Sequence, residues 1–100
     1  MTKSQLIDEV ARKLPRLPHR DVENIVNAIF EAMAQALCDD ERIEIRGFGI
    51  FGTKVRAAKK GRNPKTGATV QVPERRMPFF IVGKDLRERV NDGADQPIRD

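Results

Sequence analysis

Between Lys54 and Lys65 the chain carries six basic side chains, Lys54, Arg56, Lys59, Lys60, Arg62 and Lys65, and no acidic one. Such a run repels itself and needs a counter-charge. A polyphosphate backbone is the commonest one, because each neutralised phosphate releases condensed counterions. The excess is local: residues 42–76 hold 10 basic and 2 acidic side chains, whereas residues 1–41 are net −3 and residues 77–100 net −1, in a chain of net +4. A solvated surface loop would carry the same run, so charge alone leaves its partner open. An acidic membrane surface fits less well, because no amphipathic helix accompanies the run.

The chain has little material for covalent or metal chemistry. A single cysteine, Cys38, excludes an internal disulfide and a cysteine-based zinc cage. A single histidine, His19, leaves little for acid–base catalysis. Glu44 and Glu74 stand isolated among basic residues and read as ion-pair partners. There is no nucleophile paired with a base, no carboxylate cluster and no phosphate loop with its lysine. The expectation is a protein that is not an enzyme, with no metal, cofactor or small-molecule substrate. Single-strand and RNA binders usually stack bases on exposed aromatic rings. The basic run has none, which favours a duplex as its partner.

At 100 residues there is room for one small domain, and 34% charged against 39% hydrophobic residues is a globular balance. No apolar run approaches the roughly 18 residues of a membrane span. Met1-Thr2-Lys3-Ser4-Gln5 lacks the apolar stretch of a secretory signal, so a cytoplasmic location and no membrane partner are expected. Five Phe with no Trp or Tyr make a large core within one chain unexpected.

These residues need elements to hold them. Leu6, Ile7, Val10, Ala11 and Leu14 recur at helical spacing, and Thr2 with Gln5 fits a capping box, so a helix is predicted over 2–14, stopped by Pro15. A second helix, from near Pro18 to about Cys38, carries the stripe Val22, Ile25, Val26, Ile29, Phe30, Met33 and Leu37. The pattern turns to period two at Arg42, with Ile43 and Ile45 alternating with Arg42, Glu44 and Arg46. Further strands are expected at Phe51–Arg56, Val70–Val72 and Met77–Val82, with Pro73 and Pro78 confining the last two to edges or bulges. Gly83-Lys84-Asp85 opens a short last helix anchored by Leu86 and Val90, and residues 92–100 read as a disordered tail. The class is α+β.

Ala57 to Thr69 has almost no apolar residue larger than Ala, yet it has turn chemistry at its centre. Pro64 presets an early turn position, and Gly67 can take the left-handed conformation that closes a hairpin. A β-ribbon arm is predicted over about 57–72, with Pro64 near the tip and each leg reaching roughly 23 Å at about 3.3 Å per residue. Shape and charge suit wrapping around a duplex. Arg62 and Asn63 would reach base edges in a narrow groove, and rigid Pro64 would wedge between base pairs. The same Asn-Pro-Lys-Thr-Gly stretch is also simply a good turn.

Arg42 to Gly49 (Arg-Ile-Glu-Ile-Arg-Gly-Phe-Gly), Gly61 to Gly67 (Gly-Arg-Asn-Pro-Lys-Thr-Gly) and Gly83 to Arg87 together resemble the bacterial HU/integration host factor family over about residues 1–91. Within it, Arg42 to Gly49 is most similar to the β subunits of integration host factor; HU chains usually carry an apolar residue where Arg46 stands. The resemblance implies two N-terminal helices under a three-stranded antiparallel sheet with a long β-ribbon arm, a short C-terminal helix and an intertwined dimer. It implies an architectural protein of the bacterial nucleoid that bends double-stranded DNA through the minor groove, in recombination, transcription control or replication. It assigns the wedge to Pro64 and minor-groove contacts to Arg46, Arg62, Asn63 and Lys65, with Glu44 orienting Arg46. Phosphate contacts fall to Lys3, Lys54, Arg56, Lys59, Lys60, Arg75 and Lys84. A dimer core is assigned to Phe30, Phe48, Phe51 and Phe79. The partner chain is either an α-like relative or a second copy, as in an HU-like homodimer. Ile50 and the Ile81-Val82 pair depart from the family pattern, the latter removing a basic or polar residue just before Lys84.

Overall fold

A computed structural model describes residues 1–92 of the chain. Two compact units divide it, Met1–Ala36 and Leu37 onward. In the first, helix α1 (Lys3–Lys13) opens on the expected capping box: Thr2 Oγ1 accepts the Gln5 N–H (3.2 Å) and Gln5 Oε1 accepts the Thr2 N–H (2.8 Å). Two otherwise orphaned donors are satisfied in this way. Helix α2 (His19–Cys38) begins with the Pro18 carbonyl accepting from Asp21 and Val22. Ile7, Val22 and Val26 are the buried apolar side chains, with Leu6, Val10 and Ala11 packed against them. His19 lies exposed, and its Nε2 sits 3.0 Å from Asp8 Oδ1, tying α2 to α1. The other half of the α2 stripe, Ile25, Ile29 and Phe30, stays exposed.

In the second unit, α2 ends where Asp40 turns left-handed (φ 60°). Strands β1 (Ile43–Ile45), β2 (Gly49–Arg56) and β5 (Arg75–Val82) form an antiparallel sheet in the order β1-β2-β5. Strands β3 (Lys59–Arg62) and β4 (Thr69–Val72) form a separate two-stranded ribbon. β5 is an edge strand, which accommodates Pro78 opposite Thr53 without a lost central hydrogen bond. Helix α3 (Lys84–Asp92) follows; its Leu86 is half-buried, but Val90, expected as an anchor, is 74% exposed. Asp92 belongs to α3 rather than to a tail; the remainder of the expected tail lies outside the described residues.

One expected core residue is exchanged for its neighbour. Phe80, not Phe79, meets Phe51 and Phe48, at ring-centroid distances of 4.7 and 5.7 Å. Adjacent strand residues point to opposite faces, and the pairing Phe51↔Phe80 puts Phe80 on the side of the Phe51 ring. Phe79 instead covers Gly52 on the other face, with Lys54 Nζ 4.8 Å from its ring centre. Gly49 is the partner that makes room for Phe80: a Cβ there would lie 2.5 Å from both the Phe80 ring and the Ile81 carbonyl oxygen.

Candidate nucleic-acid interface

The pairing of β2 with β5 runs from Gly49↔Val82 to Arg56↔Arg75, and β3 with β4 from Lys59↔Val72 to Arg62↔Thr69. The register is the same in both. Two residues on each leg, Ala57-Ala58 and Pro73-Glu74, separate the two ladders, so neither leg gains or loses a step. The ladder breaks where Pro73 has no N–H to give.

That register sorts the side chains, because directly paired residues of an antiparallel sheet share a face. One face of the sheet carries Glu44, Ile50, Gly52, Lys54 and Arg56 with their partners Ile81, Phe79, Met77 and Arg75. The other carries Ile43, Ile45, Phe51, Thr53 and Val55 with Phe80, Pro78 and Arg76. The second face is engaged by the last residues of α2 and the turn that follows it. Thr53 Oγ1 donates to Asp40 Oδ1 (2.6 Å), and Arg76 donates to the Leu37 and Cys38 carbonyls (2.8 and 3.1 Å). Arg76 thereby caps the C-terminus of α2, where a cation also complements the helix dipole. Cys38 is exposed.

On the first face Lys54, Arg56 and Arg75 meet no carboxylate among the described residues. Ion pairs among the described residues join Arg12 with Glu9, His19 with Asp8 and Arg42 with Glu44. None involves a cation of the arm. Along the ribbon, alternation puts Lys60 and Arg62 on one face and Lys59 on the other. Ile50 and Ile81 face each other across β2 and β5, and Ile81 is 55% exposed.

The tip is a built turn. The Asn63 N–H donates to the Ala68 carbonyl (2.8 Å), and the Gly67 N–H to the Asn63 carbonyl (2.7 Å). Asn63 Oδ1 accepts the Lys65 N–H at 2.9 Å. Gly67 takes φ 70°, as expected for its role in closing the hairpin. Pro64, Lys65 and Thr66 form the exposed apex, with Arg62 exposed beside it. The Asn63 side-chain oxygen accepts one bond within the turn, and its NH₂ group supplies two further donors.

At the other end of the sheet, Glu44, Arg46, Gly47, Ile50 and Gly83 are among the residues lining a shallow hollow of about 220 Å³. Glu44 makes its ion pair with Arg42 (3.6 Å) and not with Arg46, which corrects the expected orienting role. The start of α3 is stitched to the preceding turn: the Gly83 N–H donates to the Phe48 carbonyl (2.8 Å) and the Leu86 N–H to the Gly47 carbonyl (3.0 Å). Lys84 is the exposed first residue of that helix, and Lys3 the exposed first residue of α1. Lys3 borders a hollow of about 360 Å³ in the helical unit, with Leu6 and Phe30. Sequence reasoning missed Arg76 and Phe80; their roles depend on which strand face each occupies.

The model of the family described as bacterial DNA-binding protein matches residues 1–91. Among solved structures, the chain is similar to HU from Anabaena in a cocrystal with DNA, at 34% identity and a TM-score of 0.83, covering 92% of this chain and 99% of that one. A variant of HU from Thermotoga maritima gives 32% identity and a TM-score of 0.66 over 90% and 99% of the two chains. HU from Thermotoga maritima gives 31% and 0.62 over 90% and 98%. With this likeness spanning nearly the whole of the HU chains, the protein belongs to the bacterial DNA-binding protein family, that of HU.

Proposed function

We propose that this chain is one subunit of an architectural dimer of the nucleoid that bends duplex DNA, its arm reaching into the minor groove and Pro64 wedging between base pairs. The observation that carries the reading is the arm itself: a ribbon whose cations form no ion pair among the described residues, with a proline at its exposed apex. An isolated two-stranded ribbon is marginal in water, and one that repels itself needs a polyanion to settle on. Arg62, Lys65 and the Asn63 NH₂ would contact the groove. Lys54, Arg56, Lys59, Lys60 and Arg75 would hold phosphates along arm and sheet. Lys84 and Lys3 would hold flanking phosphates, each at a helix start where the dipole favours an anion. Apolar wedges in proteins of this class kink DNA by roughly 20–90° at a cost of a few kcal/mol per unstacked step. Most sequence preference would then come from DNA deformability. Arg46, in its hollow beside the groove, would add direct contact.

The exposed Ile25, Ile29 and Phe30 support a dimer, as does Phe80 at 42% exposure beside Phe48 and Phe51. Phe48, Phe51 and Phe30 keep their proposed place in a shared core, with Phe80 in place of Phe79. Arg42 to Gly49 favours a pairing with an integration-host-factor α-like chain; the likeness to HU structures favours a homodimer. Native mass spectrometry of the chain expressed alone separates the two, a stable non-selective DNA-bending homodimer supporting HU. Energy transfer across an end-labelled duplex tests the bend. Pro64→Ala is expected to reduce the bend angle more than the affinity for DNA that is already distorted, and an unchanged angle removes the wedge.

A further inference from the structure

We infer, on the reading that the chain binds a duplex, that Ile50 and Ile81 form an apolar seat for the deoxyribose edges of the minor groove, and that this seat selects DNA over RNA by refusing a 2′-hydroxyl. The two isoleucines are directly paired across β2 and β5, so they share one face of the sheet. Further along the same face come Lys54 with Met77, then Arg56 with Arg75. The rings of Phe51 and Phe80 meet on the opposite face and do not cover the pair. Ile81 is 55% exposed, and Ile50 is half-buried beside the hollow that Arg46 also lines.

The cations on this face and along the arm that continues it suit a polyanion rather than an apolar protein surface. Isoleucine itself has neither donor nor acceptor. Set against a phosphate oxygen or a base edge, it strips water from a polar atom and returns no bond. The part of a duplex that it covers without that cost is the C–H edge of the sugars walling the minor groove. A ribose changes that edge. In A-form helices the 2′-hydroxyls are displayed in the minor groove. Under the isoleucine methyls such a hydroxyl loses its water and gains no partner. A hydroxyl side chain at either position would supply the missing partner. Ile50 and Ile81 both depart from the family pattern, so the discrimination belongs to this chain and not to the fold.

Binding to three duplexes of one base sequence tests the seat: all DNA, a hybrid with one RNA strand, and the same hybrid with 2′-fluoro sugars, which keep the ribose pucker without the hydroxyl. The parent chain is expected to bind the 2′-fluoro hybrid about tenfold more tightly than the RNA hybrid. The double variant Ile50→Thr with Ile81→Thr, checked for folding by circular dichroism, is expected to narrow that gap to about twofold, while its affinity for the DNA duplex changes by less than about threefold. Ile81→Thr alone, at the more exposed position, is expected to narrow the gap in part and replaces the double variant should that fail to fold. Equal affinity of the parent chain for the two hybrids, no measurable binding to either included, would mean that duplex shape alone excludes RNA and would overturn the seat. A gap that threonine leaves unchanged would also overturn it, by placing the hydroxyl away from these side chains. A parent chain that binds no DNA duplex would instead remove the functional reading on which the seat stands.

Discussion

The hairpin that runs from β2 to β5 is built twice over on one register, once as sheet and once as arm. In the sheet half, Phe51 and Phe80 stack across the rungs, Gly49 yields space for a ring, and Thr53 and Arg76 bond to the end of α2. In the arm half, the rungs carry Lys59, Lys60 and Arg62 against Thr69, Gln71 and Val72, and no ring. Hydrogen-bond geometry is shared; what backs it is not. A ladder is held by the side chains packed on its face more than by its amides, whose net contribution is small. The sheet half therefore has side-chain packing behind its ladder, and the arm half does not.

Substitutions can break this contrast or sharpen it. The largest effect is expected from Phe80→Ala, which removes the ring that meets both Phe48 and Phe51; a loss of about 3 kcal/mol in denaturant unfolding is expected. A loss below 1 kcal/mol would mean that the cluster does not hold the sheet. Gly49→Ala comes next, at about 2 kcal/mol, since its Cβ would collide with the Phe80 ring and with a backbone oxygen that cannot swing away. In the arm, Gly67→Ala forces an alanine into φ 70° with nothing else in its way, a cost of about 1 kcal/mol confined to the tip. Amide hydrogen exchange at Asn63 and Ala68 should accelerate while the melting temperature of the body stays put. A fall in global melting would show the arm to be part of the body's cooperative unit. Lys60→Ala should be the smallest: stability unchanged, affinity lowered on every DNA sequence alike, and the salt slope reduced by about 0.9. An unaltered slope would take Lys60 off the phosphate backbone.

The departures at Ile50 and Ile81 belong to the same contrast. They face each other on the sheet face that also bears Lys54, Arg56 and Arg75. That face is thus part apolar and part cationic within the sheet, and becomes more polar toward the tip.

Local chemistry determined a good part of this molecule from the sequence. Capping at Thr2, the stop at Pro15, the left-handed closure at Gly67 and the edge placement of Pro78 each depend on a few neighbouring residues and on dihedral limits that no distant contact needs to supply. The basic run was equally legible, because charge adds along the chain regardless of fold. Only the tertiary structure decided which of Phe79 and Phe80 joins the ring cluster, that Glu44 pairs with Arg42, that Arg76 caps α2, and that Arg75 is left with a buried, unpartnered nitrogen opposite Arg56. The three that lie on β5 turn on strand register. A shift of one residue moves every side chain to the opposite face, and the pairing that sets the register joins residues up to 33 positions apart, Gly49 with Val82.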